Sequence, residues 1–254
     1  MTEVVAEQDF ALKGASFVQD YLIADYIDHA DISSEIKFFD HSGNKLDLQL
    51  PKSLKGTIGG FQSMGDNSIM FSVHSYTQPI QYFTYNLTKD LLELVWEEKI
   101  PGFNPDDYVE ISTHYESKDG TMVPITYSHK SSIKLDKNTP IFLYAYGGYN
   151  ISIRPAFTPK YVAWLEMGGV LAVANIRGGG EFGKAWHNAG RLDTKQNVFD
   201  DFLYASKFLE NNSIGNRKST VISGRSNGGL LVGTTLVQNP NYFGAALPAV
   251  GVMD

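Results

Sequence analysis

The chain has 254 residues, 43% of them hydrophobic, which is enough for a sizeable core and excludes a disordered polypeptide. A net charge of -7 argues against a nucleic-acid partner, and the absence of cysteine removes disulfides and thiolate metal sites. The start, "MTEVVAEQDF", lacks the basic and apolar stretches of a signal peptide, and no apolar run reaches the ~18 residues of a membrane span, so a cytoplasmic protein without a membrane partner is expected.

The first hundred residues read as short strands. "DYLIADYID" leads to "SEIKFFD", the turn "HSGNK" and "LDLQL"; later "NSIMFSVHS" leads to "IQYFTYN", the turn "LTKD" and "LLELVW". Both passages run strand, strand, turn, strand, and they start at Tyr21 and Ser68, 47 positions apart. A repeat of that size built from short strands fits two propeller blades, which is too few to close a ring. A small antiparallel sandwich fits the same pattern.

"EKIPGFNPDDY" (98–108) reads as a linker, dividing a region 1–100 from a region 101–254. Beyond it the pattern changes. "VEISTHYESKDGTMVPITYSH" is a hairpin turning at Asp119-Gly120. "IFLYAY" (141–146) and "VLAVANI" (170–176) are near-continuous apolar runs, as in strands buried on both faces. "YVAWLEMG" is helical between them. "NVFDDFLYASKFLENN" sets Val198, Phe199, Phe202, Leu203, Phe208 and Leu209 along one helical stripe, which leaves Asp200 and Asp201 solvated or capping. The strand "TVIS", the helix "NGGLLVGTTLVQN" and the strand "GAALPAV" follow. Strands alternating with helices predict an α/β fold with a parallel sheet.

Gly224-Arg225-Ser226-Asn227-Gly228 fits G-x-S-x-G and lies between a predicted strand and a predicted helix. A serine at such a turn projects its hydroxyl from the carboxyl edge of the sheet, and side chains at Gly224 and Gly228 would strike the neighbouring strand and helix. The same small residues also permit tight helix–sheet packing without any chemistry, but the strand–turn–helix setting favours Ser226 as a nucleophile. An attacked carbonyl needs donors aimed at its developing oxyanion. The backbone N–H of Asn227 is one. The loop "AYGGYNIS" after "IFLY" offers a second, although on spacing alone Tyr146 reads as a buried strand-end aromatic.

Taken together, "LYAYGGYNIS", "GGVLAVANIRGGGEFGKAWHNAG", "QNVFDDF", "GRSNGGLL" and "VGVMD" resemble the prolyl oligopeptidase family, from about residue 100 onward and more loosely upstream. The resemblance implies an α/β-hydrolase core, present here in its N-terminal part, preceded by the last blades of a β-propeller. It implies a serine peptidase that cleaves short proline-containing peptides after proline, as a monomer and with no cofactor or metal. By matching motif, Ser226 is the nucleophile, Tyr146 (through its hydroxyl) and Asn227 (through its N–H) form the oxyanion hole, and Tyr149 and Val252 line the proline pocket. Two departures stand out: Arg225 replaces the family's usual glycine before the serine, and Tyr149 adds a hydroxyl where phenylalanine is usual. "RGGGE" (177–181) is a family marker with no catalytic role assigned, its glycines expected to shape a loop near the interdomain face.

The hydrolase order is Ser, Asp, His. After Ser226 there is no histidine, and the one acid is Asp254; all six histidines, His29, His41, His74, His114, His129 and His187, come earlier. The resemblance therefore implies that the triad acid and base lie beyond this sequence and that these residues alone are catalytically incomplete. An esterase sharing the elbow, or a hydrolase-like binding module without a triad, remains open at this point.

Overall fold

The repeat that begins at Tyr21 and Ser68 is a repeat of antiparallel sheets. The computed structural model describes residues 3–253. In it β1 (Leu12–Val18), β2 (Tyr21–Ile27) and β3 (Ser34–Phe39) pair in chain order, and β4 (Thr57–Gly65), β5 (Ser68–His74), β6 (Gln81–Asn86) and β7 (Leu91–Glu97) do the same. Tyr21 and Ser68 thus open equivalent second strands. Consecutive meanders of this kind are the pattern of propeller blades.

Two features differ from the sequence reading. Each sheet has an additional first strand, β1 and β4. "LDLQL" is not a strand: its backbone makes only one bridge beside it, Phe39 to Lys45, and one bond from Leu46 N to Phe38 O at 2.9 Å. Leu46, Leu48 and Leu50 still pack on the core, so alternation here reports burial without a ladder. Alternation in β5 turns Ile69, Phe71 and Val73 inward, against Ile23 and Phe38.

The chain falls into two compact units. The first holds the residues up to Pro105 together with Arg154–Phe157, and the second holds Asp106–Ile153 and the residues from Thr158 on. Within the first unit Arg154 grips Asp25 with both terminal nitrogens, at 2.6 and 3.1 Å, and Thr57 Oγ1 donates to Pro155 O at 2.7 Å.

The second unit is built on a six-stranded sheet. The hairpin of β8 (Tyr108–Glu116) and β9 (Met122–Lys130) turns at Asp119-Gly120, where Gly120 has φ +84°. It extends a parallel set made of β10 (Ile141–Tyr144), β11 (Val170–Ala174), β12 (Thr220–Arg225) and β13 (Ala245–Ala249). The order is β13-β12-β10-β11-β9-β8, with β9 antiparallel to β11, so the sheet is mixed rather than purely parallel. Helices α1 (Pro159–Glu166), α2 (Gly183–Asn188), α3 (Gln196–Asn211) and α4 (Asn227–Gln238) connect and cover it. All five residues of β11 are buried, as a continuous apolar run requires.

The face α3 turns to the sheet carries Val198, Phe202, Ala205 and Leu209, all fully buried. It also carries Asp201, which overturns the solvated reading of that residue: its side chain is wholly buried. Asp201 receives Nε and Nη2 of Arg177 at 2.9 and 2.6 Å and the Ser117 hydroxyl at 2.5 Å. Positions 198, 201, 205 and 209 follow helical spacing, so the carboxylate occupies a core position and is neutralised there by a buried arginine. Asp200, one position before it, pairs with Lys118 at 3.2 Å.

Candidate active site

Strand β12 ends at Arg225, helix α4 begins at Asn227, and Ser226 is the turn between them. Its backbone lies at φ 57°, ψ -119°, a region that costs a non-glycine residue about 1–3 kcal/mol. Both sides of the residue are held in place. Ser226 N–H donates to Ala249 O at 2.9 Å, and Ser226 C=O accepts from Gly229 N and Leu230 N at 2.8 and 3.1 Å. The neighbouring glycines are needed for space. A Cβ on Gly224 would collide with the backbone of Gly228, and one on Gly229 would lie 2.5 Å from Ala249 O. The result is a serine exposed at the carboxyl end of an interior strand of the sheet, followed at once by a helix. Arg225 is also exposed, so a long side chain fits where the family has glycine.

Strand β10 lies beside β12 and parallel to it, with Tyr144 opposite Ser223. The loop after β10 therefore leaves from the same edge as the elbow. From β10 the chain passes to β11 on one side and then returns to β12 on the other. This reversal opens a crevice at the carboxyl ends of the strands, where open α/β sheets bind ligands. Tyr146 is half-buried in that loop. Gly147 has φ +63°, and a Cβ on Gly148 would lie 2.5 Å from the Asn227 amide nitrogen. That amide donates to Tyr146 O at 2.5 Å, fastening the loop to the first residue of α4. Burial, with a contribution from Tyr146, pushes the Tyr144 phenol up.

The sequence reading missed Lys195. Its Nζ donates to Gly147 O at 3.0 Å and to Asn227 Oδ1 at 3.3 Å. Burial pulls its ammonium below the usual lysine range. A signal was present: a lysine directly before α3, where the helix N-terminus disfavours cations.

A cavity of about 530 Å3 opens beside this network, lined by Gly148, Tyr149, His187, Lys195, Asn227 and Leu230 among others. Tyr149 and Asn227 both line it, although Tyr149 is 76% exposed. Val252, beyond β13, is 70% exposed and does not line this cavity.

Among the described residues no histidine is hydrogen-bonded to Ser226. His187 Nδ1 lies 2.7 Å from Gly178 O, and His129 Nδ1 lies 2.8 Å from Lys130 O. Asp254 lies outside the described residues. The described residues contain no cluster of metal-ligating side chains, and none of their helices is long and apolar enough to cross a membrane. In the "RGGGE" stretch, Glu181 is buried and accepts from Ile153 N at 2.9 Å and from the Asn175 amide at 3.1 Å.

Residues 155–254 match the model of the prolyl oligopeptidase family. The prolyl endopeptidase of Elizabethkingia miricola is 41% identical over 236 residues, covering 92% of this chain and 33% of the relative. The prolyl endopeptidase of Dictyostelium discoideum is 34% identical over 257 residues, covering 99% of this chain and 33% of that protein. Prolyl oligopeptidase B from Galerina marginata, solved with a 35mer hydrolysis and macrocyclization substrate, superposes with a TM-score of 0.91 at 32% identity, over 100% of this chain and 36% of the other. Structures of that protein were solved with alanine in place of a serine, an aspartate or a histidine. The chain spans about a third of the length of the curated relatives it matches. With an elbow serine, a glycine-rich loop beside it and this likeness along nearly its whole length, the chain is similar to proteins of the prolyl oligopeptidase family, whose model its residues 155–254 match.

Proposed function

We propose that this chain supplies the nucleophile and the oxyanion hole of a serine peptidase that cleaves short peptides on the carboxyl side of proline. The observation that carries the reading is Ser226 held at positive φ, exposed, between β12 and α4, on a strand that pairs with β10. Strain of this kind persists only where the surrounding structure enforces it, and it clusters at active sites.

In the proposed reaction Ser226 Oγ attacks the carbonyl carbon of the prolyl residue while a base takes its proton. Negative charge develops on the carbonyl oxygen, where the Asn227 N–H and the Tyr146 hydroxyl donate to it. The C–N bond breaks, the base returns the proton to the departing amine, and an acyl-enzyme remains on Ser226. Water, deprotonated by the same base, then releases the acid. The base and its orienting carboxylate are assigned to the portion of the full-length protein corresponding to the two thirds of the relatives that this chain does not match. The structures of prolyl oligopeptidase B from Galerina marginata solved with alanine in place of a serine, an aspartate or a histidine support the assignment of an acid and a base beside the serine. Tyr149 and Val252 are proposed walls of the proline pocket; the place of Tyr149 in the lining of the cavity that Asn227 also lines supports the first.

The test is to treat the full-length protein with a serine-directed phosphonofluoridate and to assay a proline-linked chromogenic amide against a simple ester. Labelling at Ser226, preference for the amide and loss of turnover in Ser226→Ala are expected, with no turnover from residues 1–254 alone. Labelling at another residue, or a strong preference for the ester, sinks the reading.

A further inference from the structure

The oxyanion-hole residues proposed above sit on two separate segments, the loop after β10 and the start of α4. Their relative position decides whether two donors converge on one oxygen. The structure joins them through a small polar ring. Asn227 Nδ2 donates to Tyr146 O at 2.5 Å, Lys195 Nζ donates to Asn227 Oδ1 at 3.3 Å, and Lys195 Nζ also donates to the next carbonyl of the loop, Gly147 O, at 3.0 Å. Two successive loop carbonyls are thus held by two side chains that hold each other.

Lys195 is an expensive way to make such a joint. It directly precedes α3, where the helix dipole opposes a cation. It is partly buried, and among the described residues it forms no ion pair with a carboxylate. Its bonds go to neutral oxygens, and the Phe199 ring lies 6.0 Å away. A neutral donor would satisfy the same acceptors without a charge in that place. The ammonium adds two things. Its charge strengthens both bonds, since charge-assisted hydrogen bonds are roughly twice as strong as neutral ones. It also fixes the orientation of the Asn227 amide, because only Oδ1 can face a group that carries donors alone. That in turn directs Nδ2 to Tyr146 O.

We infer that Lys195 is a positioning residue of the oxyanion hole: it locks the Asn227 side chain to the Tyr146 loop so that the Tyr146 hydroxyl and the Asn227 N–H converge. It acts through those two residues. The inference rests on the proposed peptidase reading and adds to it a residue that binds no substrate.

The experiment is a double-mutant cycle in the full-length protein, with active sites counted by phosphonofluoridate titration and folding checked by thermal melting. Lys195→Met is expected to lower kcat about 30-fold per titrated site while KM changes less than about threefold, the signature of a contact felt only in the transition state. In a Tyr146→Phe background the same change is expected to cost less than about threefold, because the donor being positioned is already gone. Lys195→Arg, which keeps a charged donor, restores most of the rate. If Lys195→Met does not fold, Lys195→Gln replaces it in the cycle, with a smaller loss of the same kind. A loss that is equally large in both backgrounds, or one that appears in KM or in the titratable fraction instead of kcat, overturns the inference and leaves the peptidase reading intact. A wild-type protein that is neither labelled at Ser226 nor able to turn over the amide overturns both.

Discussion

Arg177 donates three times to Asp201: from its backbone N–H at 3.1 Å, from Nε at 2.9 Å and from Nη2 at 2.6 Å. The two side chains come from the end of the β11 run and from α3, and their side chains are 5% and 0% exposed. The pair fixes the stretch that leads into the "RGGGE" glycines against the helix that carries Lys195 at its start. Removing one partner of a buried pair strands the other charge, at a cost of about 3–5 kcal/mol. Asp201→Asn keeps the shape and removes the charge, and it is expected to lower unfolding free energy by that amount in urea titrations. A loss below about 1 kcal/mol would mean that Asp119, which also grips Arg177, suffices alone.

The strain at Ser226 can be measured separately from its chemistry. Ser226→Ala and Ser226→Gly both delete the hydroxyl, but only glycine adopts φ 57° without steric cost. The glycine variant is expected to be more stable than the alanine variant by about 1 kcal/mol, although glycine ordinarily lowers stability. Denaturant midpoints of the two variants check this. Equal midpoints, or a more stable alanine variant, would show that the elbow is not strained.

The sequence shows some of this architecture and hides the rest for physical reasons. Apolar runs and the G-x-S-x-G turn mark β10, β11, β12 and α4 because burial on both faces and a sharp strand-to-helix turn each leave a local signature. The first strand of each blade was invisible. Six of the seven residues of β1 are exposed, and β4 carries adjacent glycines and register shifts, so neither shows clean alternation. Asp201 was misread because a helical stripe is counted in apolar residues, and its counter-ion lies 24 positions upstream. Lys195 was missed because its partners, Gly147 and Asn227, are 48 and 32 positions away and meet it only in the folded chain.

Replacing Tyr146 with phenylalanine tests the proposed second oxyanion donor. The ring keeps its half-buried place and Asn227 still donates to the backbone carbonyl, so the fold is expected to survive unchanged. In the full-length protein kcat on a proline-linked amide is expected to fall by about 10²–10³, the typical loss of one such donor, with KM little altered. An unchanged kcat would reduce Tyr146 to a packing residue and leave the hole with the Asn227 N–H alone.

Asp119 gives a pH dependence that belongs to the fold rather than to catalysis. Its carboxylate accepts from both terminal nitrogens of Arg177, at 2.5 and 3.1 Å, and that bonding holds its pKa at about 2. An unfolded chain returns the group to the ordinary value of about 3.9. The folded value is the lower one, so the stabilisation is fully present above about pH 4 and disappears as pH falls through about 2. The side chain is 47% exposed, so solvent screening keeps the effect modest. Asp119→Asn is expected to be less stable than wild type at neutral pH by an amount that stays constant down to about pH 5 and closes only as pH falls below about 2. Urea midpoints of the two proteins across that range measure it, and a gap independent of pH would show that the contact acts through shape and not through charge.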